Sequence, residues 1–171
     1  MRTIDEVLGD DGLVAAALSG YEHRPVQVAM AKLVHRGFLE QMHVMVEAGT
    51  GTGKSFGYLV PALLSGQRVV VSTATLALQD QLLNKDIPLL LRALDSSALV
   101  VQLKGRSNYL CRDKFEQLHR RLVLAQSNEE RKIFEWAAAT ETGDRAELDF
   151  VPTPRLWSEI DTDADDCLME A

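Results

Sequence analysis

The sequence predicts an α/β chain, a parallel sheet with flanking helices, built around one glycine-rich loop. Three observations carry this expectation. A glycine-rich loop, Glu47-Ala48-Gly49-Thr50-Gly51-Thr52-Gly53-Lys54-Ser55, lies between a short β-like run, His43-Val44-Met45-Val46, and an apolar helix-like run from Phe56 to Val60. Two more apolar runs, Arg68-Val69-Val70-Val71-Ser72 and Ala98-Leu99-Val100-Val101-Gln102-Leu103, have the composition of buried parallel strands. Helical patterns alternate with these runs, which implies right-handed crossovers.

Length and composition agree with one ordinary domain. The chain has 171 residues, of which 46% are hydrophobic and 25% charged. No apolar run approaches the roughly 20 residues of a membrane helix. The first residues, Met1-Arg2-Thr3-Ile4-Asp5-Glu6, lack the basic-then-apolar order of a secretory signal. Two distant cysteines make no disulfide framework, so a reducing cytoplasm is expected. The net charge of −7 is unevenly spread: residues 23–106 carry nine basic and five acidic side chains, and the acidity lies at both ends. A basic middle permits polyanion binding without requiring it.

Taken in order, Thr3 and Glu6 have capping-box spacing ahead of a short helix. Gly9 to Gly12 interrupts it, Leu13 to Leu18 resumes it, and Ser19-Gly20 stops it. Pro25 opens a second helix in which Val26, Ala29, Met30, Leu33 and Val34 make the expected buried face. Gln27 lies off that stripe, either as a solvated glutamine or as an amide that reads an adenine edge.

In the loop, glycines let backbone N–H groups curl around an anion. The helix behind adds its positive end. Lys54 reaches the β and γ phosphates, and the Ser55 hydroxyl ligates Mg²⁺. Ala48 stands where the usual pattern has its first glycine. The helix should kink at Pro61 and end at Gly66. Thr73-Ala74-Thr75 is a polar turn, followed by helices from Leu76 and from Ile87. Beyond Lys104 come a polar loop with Tyr109 and Cys111, then helices over about 112–124 and 128–139, the latter capped by Ser127 with Glu130. An acidic run from Asp161 leads to Cys167.

These segments together resemble the superfamily 2 helicases of the XPD/DinG type, and in detail the DinG/YoaA branch. The loop 47–55 resembles motif I, Ala48 included. Tyr21-x-x-Arg24-Pro25-x-Gln27-x-x-Met30-Ala31 resembles the segment before it, and Ser72-Thr73-Ala74-Thr75-x-x-Leu78-Gln79-Asp80-Gln81-Leu82 resembles motif Ia. Lys104-Gly-Arg-Ser-Asn-Tyr-Leu-Cys111 resembles the entry to the iron–sulfur insertion. The resemblance covers residues 21–111 well and Trp157 to Cys167 more loosely.

It implies an incomplete RecA-like P-loop NTPase domain, followed by the helical start of an iron–sulfur-type insertion. Residues 1–22 would be a helical lead, 23–104 the first part of the motor domain, and 105–171 the start of the insertion. It implies ATP with Mg²⁺ on Ala48 to Ser55, adenine on Gln27, and single-stranded or forked DNA on Thr73 and Thr75. Cys111 and Cys167 would be the first two ligands of a [4Fe–4S] cluster; otherwise both are small buried side chains. The activity implied is ATP-driven DNA unwinding, in repair or replication, by a longer protein of which this is the front piece. Two cysteines cannot supply four thiolates, and no Asp-Glu-x-His motif is present to hold Mg²⁺ from the other side. Another P-loop NTPase, or a non-catalytic nucleotide- or DNA-binding fragment, are the alternative readings.

Overall fold

The computed structural model describes residues 2–121 and 127–162. The chain divides into two compact units, one up to Gln102 and one from Leu103.

In the first unit, Thr3 and Glu6 form the expected reciprocal cap on α1 (Ile4–Leu8), which α2 (Leu13–Ala17) follows. Pro25 opens α3 (Pro25–Glu40), whose missing N–H costs nothing at a first turn. The phosphate-type loop leads into α4 (Lys54–Ser65), which encloses Pro61 and ends at Gly66 in the left-handed region. Then α5 (Leu76–Gln81) passes through one widened turn, Leu82–Asp86, into α6 (Ile87–Leu94). The core is aliphatic: Val7, Leu8, Val14, Ala31, Val60 and Leu90 are all fully buried. Helices α3 and α4 touch closely at Gly57, where an added Cβ would come within 2.9 Å of the Met30 sulfur.

The buried face of α3 is not the one its periodicity predicts. Gln27, Val28, Ala31 and Gly37 are buried, whereas Val26 and Leu33 are exposed. A helix with apolar residues on two flanks can be turned either way by its neighbours, and here the small face meets α4.

The expected parallel sheet is also absent. Among the described residues there are helices, turns and two isolated bridges, and no strand. The runs 43–46, 68–72 and 98–103 are neither helix nor strand, and Met45, Val70, Leu99 and Val101 are at least 82% exposed. The described architecture is therefore helical, and the RecA-like α/β arrangement implied by the resemblance is overturned. Apolar β-branched composition signals a tendency to be buried. A strand needs in addition a partner about 4.8 Å away to share its N–H and C=O groups, and these runs have no such ladder.

In the second unit a short 3₁₀ turn, Arg106–Asn108, precedes α7 (Arg112–Arg121). Ser127 and Glu130 form the predicted capping box on α8 (Asn128–Ala139), and Thr153 caps α9 (Pro154–Ser158). Leu118, Ile133, Leu156, Trp157 and Ile160 form a separate small core. Polar ties between distant residues close it. The buried Lys104 ammonium sits 2.8 Å from Asp144, and the Trp157 indole donates to the Ser107 carbonyl at 2.7 Å. Isolated bridges join Tyr109 to Asp144 and Leu110 to Asp161.

Candidate functional site

The loop between residue 47 and α4 takes its shape from two glycines. Gly51 and Gly53 have φ of +75° and +77°, the left-handed region that a side chain disfavours. Neither Ala48, Thr50 nor Thr52 is among the residues with positive φ. That explains why an alanine stands where a glycine is usual: its backbone is one that any residue adopts.

Lys54 is exposed at the first position of α4 and curls back over the loop. Its ammonium donates to the Ala48 carbonyl at 3.0 Å and the Gly49 carbonyl at 2.6 Å. The Thr52 hydroxyl donates to the same Gly49 oxygen at 3.0 Å. Two donors thus converge on one carbonyl at the mouth of the loop, and a phosphate oxygen is a stronger acceptor than a peptide carbonyl. The helix behind contributes unpaired first-turn N–H groups and a positive dipole end. Ser55 is half-buried one residue further on. Burial raises the pKa of the neighbouring Tyr58 phenol, against a smaller opposite effect of its hydrogen bond with Ser55.

Gln27 comes to this loop from α3. It is 3% exposed, which rules out a solvated glutamine, and its amide donates to the Gly53 carbonyl at 2.8 Å. Its oxygen faces the Tyr21 hydroxyl at 3.3 Å. Sequence reasoning did not find the role of Tyr21, although Tyr21 and Gln27 lie in one resembling segment.

Thr73 and Thr75 lie together after the run 68–72. The Thr75 hydroxyl accepts the Leu78 N–H and so caps α5, and the Thr73 hydroxyl donates to the Thr75 carbonyl. Each therefore has a structural task beside any contact with a phosphate. A cavity of about 540 Å³ is lined by Leu59, Leu63, Val71, Thr73 and Gln79 among others, and by none of residues 47–55. It is distinct from the phosphate-type loop.

Cys111 is half-buried with a free thiol, and its N–H donates to the Ile160 carbonyl at 2.7 Å. The Thr162 N–H donates to the Tyr109 carbonyl. Residues 160–162 thus run beside 109–111. Cys167 lies outside the described residues, so its pairing with Cys111 at one cluster is not part of this geometry. No group of three His, Cys, Asp or Glu able to hold a metal occurs among the described residues. The Tyr109 hydroxyl accepts the Lys104 N–H at 2.9 Å, and its side chain is half-buried.

No protein-family model matches the chain. It is 34% identical over 169 residues to a Haemophilus influenzae protein named ATP-dependent DNA helicase YoaA, covering 96% of this chain and 26% of that protein. It is 36% identical over 182 residues to a Mycobacterium tuberculosis protein named ATP-dependent helicase DinG, covering 91% of this chain and 27% of that one. A Bacillus subtilis protein named 3'-5' exonuclease DinG is 34% identical over 168 residues, covering 92% of this chain and 18% of its own length. The chain thus spans about a quarter or less of the curated relatives it matches.

Proposed function

This chain belongs to the DinG/YoaA-like helicase family, and from that premise we propose that it is the ATP-binding portion of an ATP-dependent DNA helicase, holding triphosphate and Mg²⁺ on residues 48–55. The loop geometry is the observation that carries this reading: positive φ at Gly51 and Gly53, with Lys54 and Thr52 donating into the loop mouth. Lys54 would exchange its carbonyl partners for phosphate oxygens, Ser55 would ligate Mg²⁺, and the α4 amides would face the charge. ATP bound there supplies the free energy for movement along DNA.

Thr73 and Thr75 would contact the phosphate backbone of single-stranded or forked DNA, and the setting would be the cytoplasm, in repair or replication. The organisation would be a lead over 1–22, a nucleotide-binding segment over 23–104 and an insertion from 105. A [4Fe–4S] cluster does not fit the residues present: the whole chain holds two cysteines, and Cys111 is the one within the described residues.

The test is calorimetric titration of this chain with MgATP, beside Lys54→Ala. Weak binding by the parent, at least tenfold weaker in the variant, and no phosphate release by either are expected, because Lys54 is the one cationic side chain among residues 47–55. Affinities within about threefold of each other would remove Lys54 from this role.

A further inference from the structure

Resting on the reading of Thr73 and Thr75 as contacts to a DNA backbone, we infer that Gln81 and Asp86 are positioning residues for those contacts, acting through the widened turn between α5 and α6. The two helices are anchored unequally. No residue of α5 is buried, whereas Leu82 and Asp86 in the turn and Leu90 and Leu94 in α6 all are. The Thr75 hydroxyl caps the start of α5, so the threonines move with that helix. Its direction is set from behind, by the turn, and from the side by the Gln102 amide, which donates to the Asp80 carboxylate at 3.1 Å.

The turn is widened for a reason written in the sequence. Pro88 has no N–H to give the Asn84 carbonyl, and its ring crowds that group. One residue earlier, the Ile87 N–H reaches back five residues, to the Leu82 carbonyl, where a regular helix reaches back four. Gln81 and Asp86 are themselves five apart. On a regular α-helix that spacing leaves two side chains about 140° apart, and pairs three or four apart are the ones that meet. Here the Gln81 amide donates to the Asp86 carboxylate at 3.1 Å. The contact thus forms with the widened turn and fastens it. Asp86 is 7% exposed, so the same donor compensates a carboxylate drawn out of water. Relaxing the turn to regular helix would rotate α5 against α6 by about 100°, the step of one residue, and carry Thr73 and Thr75 with it.

The experiment measures binding of a fluorescein-labelled single-stranded thymidine oligonucleotide at low salt, MgATP affinity by calorimetry, and amide NMR spectra. Gln81→Ala should weaken DNA binding about threefold to tenfold, the scale of one net hydrogen bond, and leave MgATP affinity unchanged. The Leu78 and Ile87 amide resonances should move. Asp86→Asn keeps an oxygen that accepts the Gln81 amide, and should bind DNA more tightly than Gln81→Ala. On the background of Thr73→Ala with Thr75→Ala, Gln81→Ala should add little, because it acts through those hydroxyls. A full further loss on that background would overturn the inference in favour of direct contact between Gln81 and DNA. DNA affinity and resonances like the parent's would overturn it outright, as would an equal loss of MgATP binding, the mark of general unfolding. If Thr73→Ala with Thr75→Ala binds DNA like the parent, the reading of those hydroxyls fails first and takes the positioning role with it. Moved resonances in Gln81→Ala would then leave Gln81 only as the fastener of the turn.

Discussion

The two units of this chain are held by different means. The first is an aliphatic pack in which Val7, Leu8, Val14, Val60 and Leu90 bury one another, with polar contacts such as Lys32 with Asp5 and Gln27 to the Gly53 carbonyl added to it. The second has a smaller core and is closed by ties between residues far apart in sequence: Lys104 with Asp144, Trp157 with Ser107, Thr162 with Tyr109. Aliphatic burial is spread over many side chains, so single losses are partial. A buried ion pair concentrates its effect in two atoms, and removing one leaves a charge in a poor solvent. The first unit can thus tolerate change around its loop, while the second depends on a few polar positions.

The largest expected effect follows from that contrast. Asp144→Ala removes the carboxylate facing the buried Lys104 ammonium and also the cap on the turn Arg145–Glu147. A loss of about 3–5 kcal/mol is expected, seen as faster hydrogen exchange throughout 103–162 with residues 2–102 unchanged. Asp144→Asn keeps the cap and removes only the charge. If both variants exchange like the parent, the second unit is not held by its polar ties and the contrast collapses.

A smaller effect would sharpen the other side of the comparison. Thr75→Ala deletes the hydroxyl cap of α5, worth about 1 kcal/mol, so the Leu78 amide should exchange about fivefold faster. Under the proposed function, Thr73→Ala with Thr75→Ala also weakens single-stranded DNA binding at low salt, where backbone contacts count most, and leaves triphosphate affinity as it was. Thr75→Ser restores the cap. DNA affinity unchanged in the double variant would leave these hydroxyls with their structural task alone.

What the sequence made legible was local. Thr3 with Glu6 and Ser127 with Glu130 are complete capping boxes, Pro25 and Gly66 mark helix ends, and Gly51 and Gly53 adopt the backbone that only glycine takes easily. Each of these is decided within four residues, by chemistry that the residues themselves carry. The misreadings were relational. The face that α3 buries depends on what α4 offers it, which placed Gln27 inside rather than in water. The runs 43–46, 68–72 and 98–103 have strand composition, but pairing is a property of two segments and cannot be read from either alone. The ion pair of Lys104 with Asp144 spans forty residues, and no periodicity announces it.

The smallest expected effect concerns acid. Glu147 accepts hydrogen bonds from the Thr140 and Thr142 hydroxyls, which hold its pKa below the ordinary 4.5 despite a slight opposing effect of burial. A carboxylate with a lowered folded pKa binds fewer protons in the folded state than in the unfolded one. Its stabilisation is therefore fully present above 4.5 and is lost as pH falls through the lower folded value. Because Glu147 is exposed, solvent screens most of this, and the effect should fall well below that of Asp144→Ala. Urea unfolding of the parent and of Glu147→Gln, read from the fluorescence of Trp136 and Trp157 in the second unit across that acidic range, measures it. The variant should lose a small part of the parent's pH dependence there and differ little in slope above it. Parallel curves at every pH would mean that the two threonines order the turn 140–147 without favouring the charged carboxylate.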